Sequence, residues 1–290
     1  MECIKVENLT FDYDHGTQFE YKALDNISFK IEKGAVFGIV GENGSGKSTL
    51  IKHFNGMLQP AEGSVKISGY DTGDKKHRNE LWKKVGVVFQ FPEQMLFEDT
   101  VYNEIAYGLK NLGVPKEEFP QIINESLKMV GLEKKSIENA SPLCLSGGIR
   151  RRVAIACILA MKPEILVLDE ATAGLDLPGR EKVMEVIRKI KAEACTTVVM
   201  VSHNLSELIS VCSHMAVLKK GKLISFGRTR DVLACKEVRG TFLKMFPDYI
   251  QLMHRLSEGY ENINTEIITL KEAEAELHNL LLRGNGYERA

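Results

Sequence analysis

No charge excess marks this sequence: 38 Lys and Arg stand against 39 Asp and Glu among 290 residues. Nothing in its overall field therefore points to a polyanionic partner such as nucleic acid. The longest basic run, Arg150-Arg151-Arg152, is too short to alter that and reads as the polar side of a helix. The six cysteines, at 3, 144, 157, 195, 212 and 235, form no C-x-x-C pair, which leaves the expectation of reduced core residues in a cytosolic compartment. No uninterrupted apolar run reaches the ~18 residues of a bilayer span, and Met1-Glu2-Cys3-Ile4 lacks the layout of a signal peptide. Any membrane role is expected to run through a partner. Internal repeats and low-complexity tracts are lacking too. With 44% hydrophobic residues, the expectation is a globular soluble chain of one large domain, or a domain with an appendage.

Residues 1–32 alternate apolar and polar, through Ile4, Val6, Phe11, Tyr13, Ile27, Phe29 and Ile31, as a half-exposed antiparallel sheet does. Val36 to Val40, Val85 to Phe89, Ile165 to Leu168 and Thr197 to Val201 are more uniformly apolar. Strands buried on both faces read this way, and the helical stretches between most of them imply a parallel α/β sheet. From Gln90 to Leu145 the pattern turns to helices punctuated by Gly113-Val114-Pro115 and Gly131, an inserted helical subdomain. Met215 to Gly227 reads as a closing hairpin with Gly221 in its turn. Residues 229–290 are expected to be mostly helical. There Thr269 and Glu272 form a capping box ahead of a packing stripe of Leu270, Ala273, Leu277 and Leu280.

Two segments carry chemistry on their own residues. Gly41-Glu42-Asn43-Gly44-Ser45-Gly46-Lys47-Ser48-Thr49 fits G-x-x-x-x-G-K-[ST] and lies between an expected strand and an expected helix. Its glycines let backbone amides turn toward a phosphate, and the helix N-terminus adds partial positive charge at the same point. Lys47 supplies a cation for the β- and γ-phosphates, and Ser48 a hydroxyl for Mg²⁺. The second, Ile165 to Glu170, delivers two carboxylates at the C-terminal end of a strand, where α/β sheets bind ligands. Asp169 would hold the Mg²⁺ shell, and Glu170 would polarise an attacking water.

Leu145-Ser146-Gly147-Gly148, followed by Ile149 to Ala156, resembles the signature of ATP-binding-cassette (ABC) ATPases. With the phosphate loop ahead and Ala173-Gly174-Leu175-Asp176 and Ser202-His203 behind, the resemblance spans residues 3 to about 227. It implies an α/β P-loop NTPase core (residues 1–227) with an antiparallel β subdomain and a helical subdomain at about 91–160. A C-terminal helical dimerisation extension (residues 228–290) would follow. Gly41, Asn43, Gly44, Ser45, Gly46, Lys47, Ser48 and Thr49 would bind ATP, and Ser146, Gly147 and Gly148 would close on the ATP of another subunit in a head-to-tail dimer. Gln90 would reach Mg²⁺ and the attacking water, His203 would contact the γ-phosphate, and Asp176 would couple the two sites. Tyr13 is the first choice to stack on adenine, with Phe11, Phe19 and Tyr21 as competitors. Two positions depart from the family pattern: Ile149 replaces a glutamine, and Ala171 a proline.

Val88 to Phe97, Tyr107-Gly108-Leu109 and Gly16 to Leu24 further resemble the ATPases of energy-coupling factor (ECF) transporters. That resemblance implies an ATP hydrolase at the cytoplasmic face of the cell membrane, peripherally attached. Its partners would be a transmembrane coupling protein, a substrate-binding membrane protein and a second ATPase, related or identical, in an importer of vitamins or transition-metal ions. The alternatives are another class of ABC importer, or a soluble ABC protein of DNA repair or translation. The latter usually carries a long coiled-coil insertion or two cassettes, and this chain has neither. A P-loop kinase is opposed by the signature, and a non-enzymatic subunit by intact Lys47, Asp169, Glu170 and His203.

Overall fold

A computed structural model describes residues 2–193, 196–260 and 263–284. Ten strands form two sheets: β1 (Glu2–Tyr13), β2 (Tyr21–Glu32), β4 (Glu62–Ile67) and β5 (Tyr70–Asp71) in one, in the order β2-β1-β4-β5. The other runs β10-β9-β3-β8-β7-β6, from β3 (Val36–Gly41), β6 (Val85–Val88), β7 (Ile165–Asp169), β8 (Thr197–Val201), β9 (His214–Lys219) and β10 (Lys222–Arg228). In this larger sheet β6, β7, β8, β3 and β9 are parallel, and β10 alone is antiparallel.

The uniform apolarity of the central strands has a plain cause, because alternate residues serve two cores. Val36, Val40, Leu166, Leu168, Val198 and Met200 face one buried cluster, and Phe37, Ile39, Ile165, Val167, Val199 and Val201 face the other. The second cluster adds Leu50, Ile51 and Phe54 of the Lys47–Phe54 helix to apolar residues of β1, β2 and β4. That helix is therefore sandwiched between the sheets, and the phosphate loop is held from both sides.

The first cluster takes in the helices Val101–Leu112, Phe119–Met129 and Gly147–Ala160, so the inserted helical subdomain shares the core of the sheet. It also takes in Val232, Leu233, Val238, Phe242, Phe246 and Ile250. Gly227 is therefore no break in packing, and the first part of the extension is seated on the core of the larger sheet. Beyond it, Met253, Ile267 and Ala273 form a small separate cluster that Leu277 joins, which seats the Leu270–Gly284 helix. Leu270 itself is 55% exposed, so the expected stripe is only partly a packing face within the chain. The capping box is reciprocal: Thr269 Oγ1 accepts from Glu272 N at 3.2 Å, and Glu272 Oε2 accepts from Thr269 N at 3.1 Å. Lys220 and Gly221 close the β9–β10 hairpin with φ of 48° and 77°, the left-handed pair that a two-residue hairpin turn requires.

Two sequence expectations are corrected. Arg151 is 1% exposed and Arg152 8% exposed, so two of the three arginines lie inside the protein. Each is buried because carbonyls or a carboxylate receive its N–H groups: Arg152 Nη1 donates to Val130 O and Gly131 O, at the end of the Phe119–Met129 helix. Among the cysteines, Cys3 and Cys212 are buried and Cys157 and Cys235 half-buried, whereas Cys144 is exposed in the Pro142–Cys144 turn. Cys195 lies outside the described residues.

Candidate functional site

The phosphate loop leaves β3 at Gly41 and enters its helix through Gly46, whose φ of 101° suits only glycine. A Cβ on Gly46 would lie 2.7 Å from Ala23 O, and one on Gly41 2.3 Å from Leu218 O, so close packing also fixes both residues as glycine. The loop encloses its own cation: Lys47 Nζ donates to Gly41 O at 2.8 Å and Glu42 O at 2.9 Å. Burial lowers the pKa of Lys47, against the opposing pull of Glu170 and Asp169. Among the described residues the buried Ser45 Oγ has no partner, as expected of a loop shaped around an external acceptor or donor.

β7 brings its two carboxylates to this loop. Asp169 is buried and accepts from Ser48 Oγ at 3.2 Å. Burial pushes its pKa up, Ser48 pulls it down, and Glu170 adds repulsion. Glu170 sits just past the strand end with φ of 52°, a left-handed conformation that costs a non-glycine residue about 1–3 kcal/mol. Its side chain meets the end of β8: Oε1 accepts from His203 N at 3.1 Å, and Oε2 lies 2.7 Å from His203 Nδ1. Parallel pairing of β7 with β8 in register, Asp169 opposite Val201, makes these two strand ends neighbours.

A cavity of about 540 Å³ opens over these groups. Asn43, Gly44, Ser45, Gly46, Lys47, Ser48, Thr49, Gln90, Asp169, Glu170 and His203 all line it. Residues up to 160 positions apart in sequence thus meet at one place, among oxygen donors suited to a hard divalent cation and amides suited to phosphate. A larger cavity of about 680 Å³, between the helical subdomain and the far end of the sheet, contains none of these motif residues. Chemistry, not size, selects the smaller one.

Residues 24–173 match the family model described as ABC transporter. A curated relative, the energy-coupling factor transporter ATP-binding protein EcfA2 of Acetivibrio thermocellus, is 43% identical over 274 residues, covering 94% of this chain and 97% of its own length. Its namesake from Clostridium perfringens is 39% identical over 97% of this chain and 99% of its own. The chain belongs to the ABC transporter family, among the energy-coupling factor ATP-binding proteins. Among solved structures, cbiO1 from Clostridium perfringens, described as part of the ABC transporter complex cbiONQ, superimposes with a TM-score of 0.74 at 34% identity. It covers 87% of this chain and 99% of its own. The dimeric cassette MJ0796, bound to ADP and Pi, gives 0.68 at 31% identity over 78% of this chain and 98% of its own.

Not every motif residue of this ABC cassette meets the cavity. Ser146, Gly147 and Gly148 open the Gly147–Ala160 helix elsewhere on the surface. The Ser146 side chain caps nothing, and a Cβ on either glycine would touch nothing within 4 Å. No internal packing demands glycine at these two positions. Ile149, by contrast, packs against the main core. Asp176 accepts from Gly179 N at 2.9 Å, at the start of the Leu177–Glu193 helix. Tyr13 does not line the cavity: its hydroxyl lies 3.2 Å from Thr49 Oγ1, and its ring packs edge-on against Phe11. Tyr21 lines the cavity instead, 54% exposed, its hydroxyl donating to Gly44 O at 3.3 Å. Met245, from the C-terminal extension, also lines it and carries no sequence signal that could have placed it there.

Proposed function

We propose that this chain hydrolyses ATP to drive an ECF-type importer of a micronutrient, a vitamin or a transition-metal ion. The observation that carries the reading is the convergence of Lys47, Ser48, Asp169, Glu170, Gln90 and His203 on one cavity. ATP enters with its phosphates against the loop amides, and Lys47 turns from the carbonyls of Gly41 and Glu42 to the β- and γ-oxygens. Ser48, Asp169 and Gln90 would hold Mg²⁺, which neutralises phosphate charge when bound. The raised pKa of Asp169 and the oxygen pair of Ser48 and Asp169 support that assignment, because a buried carboxylate lacking a full counter-charge suits a cation.

Glu170 is the group that polarises water. Each of its oxygens keeps a lone pair for water beyond the contact with His203, and His203 would contact the γ-phosphate. Tyr21 stacks on adenine in this reading, and Tyr13 supports the loop helix through Thr49. The open surface beside Gly147 and Gly148 suits a phosphate of a second subunit, so two nucleotides are sandwiched between this chain and another ATPase, related or identical. The extension beyond Gly227 keeps the pair together when ATP is absent.

No helix among the described residues is long and apolar enough to cross a membrane. In this reading the chain sits peripherally on the cytoplasmic face, attached through a transmembrane coupling protein and a substrate-binding membrane protein. Motion of the helical subdomain on ATP closure is what these partners use. Mass spectrometry of the detergent-solubilised complex tests the reading. It should find integral membrane proteins and a second ATPase with this chain; ribosomal proteins or DNA in their place would reject it.

A further inference from the structure

Arg151 is a buried charge that the motifs do not account for. It lies five residues into the signature segment that begins at Ser146, is 1% exposed, and uses four of its five N–H groups on two distant segments. Nε donates to Glu93 Oε2 at 3.1 Å and Nη2 to Glu93 Oε1 at 2.9 Å, a fork-to-fork pair. Nη1 donates to Ala171 O at 3.1 Å and Ala173 O at 2.5 Å. The guanidinium carbon also lies 5.9 Å from the centre of the Phe91 ring.

Those partners flank the reacting groups. Glu93 is three residues beyond Gln90 and follows Phe91, whose φ of 56° marks a sharp bend. Ala171 directly follows Glu170, itself at φ 52°. One planar side chain thus joins the signature helix, the segment that carries Gln90 and the turn that carries Glu170. A lysine could not do this: a single ammonium on a flexible stem cannot fill a bidentate carboxylate and two carbonyls at once.

We propose that Arg151 is a positioning residue for ATP hydrolysis, tying the docking of the signature helix to the placement of Glu170 and Gln90. When a second subunit's nucleotide draws the signature inward, the guanidinium carries that displacement to both segments together. Hydrolysis is thereby linked to closure. A purely structural arginine would hold the subdomain to the core and influence turnover only through stability or ATP affinity. A buried pair is itself weak grounds for stability, since apolar residues of similar volume often replace it without loss. The two carbonyl bonds beside Glu170 are what the structural role leaves unexplained.

This inference rests on the reading of Glu170 as the group that activates water, so Glu170→Gln is the control. In the reconstituted complex, ATP turnover would be measured for Arg151→Met, Arg151→Lys and Glu93→Gln, with nucleotide affinity by fluorescent-ATP titration and thermal midpoint alongside. Misplacing a reacting group by about 1 Å can cost about 100-fold in rate. The expected result is therefore a kcat lowered by about tenfold or more in Arg151→Met, with KM and nucleotide affinity within about threefold of wild type. Arg151→Lys, which keeps the charge beside Glu93, should recover only part of kcat. Should Arg151→Met fail to fold, Arg151→Lys decides. A folded Arg151→Lys with wild-type kcat, or variants whose kcat falls only in step with ATP affinity, would overturn the proposal. If Glu170→Gln itself turned over normally, the assignment of the base would fail instead.

Discussion

His203 grips both carboxylate oxygens of Glu170, with its backbone N–H 3.1 Å from Oε1 and its ring Nδ1 2.7 Å from Oε2. The histidine side chain is 63% exposed and the glutamate 12%, so the contact is a surface group closing over a nearly buried one. Each oxygen keeps a further lone pair that can take a hydrogen bond from water, so the grip orients the carboxylate and does not by itself block it. In the proposed mechanism the γ-phosphate offers His203 an alternative acceptor. β7 and β8 pair in register up to Asp169 and Val201, so Glu170 and His203 lie at adjacent strand ends.

Asp169 binds protons more tightly folded than unfolded, because burial raises its pKa. The nucleotide-free protein should therefore lose stability as pH rises from the ordinary aspartate range through the folded value of Asp169. Asp169→Asn removes the buried charge and should flatten that part of the profile. It should leave the nucleotide-free thermal midpoint equal or higher while abolishing the stabilisation that Mg²⁺ and ATP add together. Thermal scans across pH, with and without Mg-ATP, check both effects; an unchanged Mg-ATP shift would remove Asp169 from the metal site.

Phe91, Met95 and Phe97 are 39%, 57% and 64% exposed, and Phe97 packs edge-on against the exposed Tyr107. Glu104 fixes this loop from beneath, accepting from Phe97 N and Glu98 N. A loop that presents so much apolar surface next to Gln90 suits a groove for a partner's helix. Met95→Glu or Phe97→Glu should abolish or sharply reduce transport in vesicles while basal ATP hydrolysis stays within about twofold, since neither side chain lines the cavity. Retained transport with normal membrane association would remove the groove.

Leu281 and Leu282 are 68% and 59% exposed on the Leu270–Gly284 helix, and if the extension holds two subunits together they are candidates for that contact. Cutting the chain at Gly227 would strip Phe242, Phe246 and Ile250 from the main core, so point changes make the cleaner test. Leu281→Glu with Leu282→Glu should weaken the nucleotide-free dimer by about 1–3 kcal/mol in total, roughly five- to 150-fold in its dissociation constant. Light scattering that finds the same dimer in the variant would count against the extension as a dimerisation element.

Ile149 packs against the core where the family pattern has glutamine. The missing amide could have offered one or two neutral hydrogen bonds of about 0.5–1.5 kcal/mol each, a change of roughly two- to tenfold per bond. Ile149→Gln should therefore alter ATPase activity only modestly, whereas Ser146→Arg, at the exposed helix start, should stop it. Steady-state turnover of the reconstituted complex separates the two, and intact turnover in Ser146→Arg would make this signature vestigial.

Much of the fold is legible because the central strands are apolar at nearly every inner position, and two cores demand that. The motif residues were legible because phosphate and metal chemistry narrow the residue types at fixed spacing. β4 and β5 were passed over: β4 shows only a brief alternation at Val65 and Ile67, and β5 is two residues long. The burial of Arg151 is not legible, because a charge in a basic run looks solvated until its partners, 58 and about 20 residues away, are known. Tyr21 gained on Tyr13 for a similar reason. Which aromatic of a hairpin turns toward a cavity depends on register shifts in β1 and β2, at Leu9, Phe11 and Asp12, that composition does not reveal.

Single-turnover and steady-state hydrolysis by Glu170→Gln, compared with wild type in the reconstituted complex, tests the central claim most directly. The substitution keeps the shape and hydrogen-bonding reach of residue 170 and removes the base. ATP binding should persist, turnover should fall by about 10²- to 10⁴-fold, and an ATP-stabilised dimer should accumulate. Near wild-type hydrolysis, or loss of ATP binding along with turnover, would contradict a site in which Glu170 activates water against a phosphate held by Lys47.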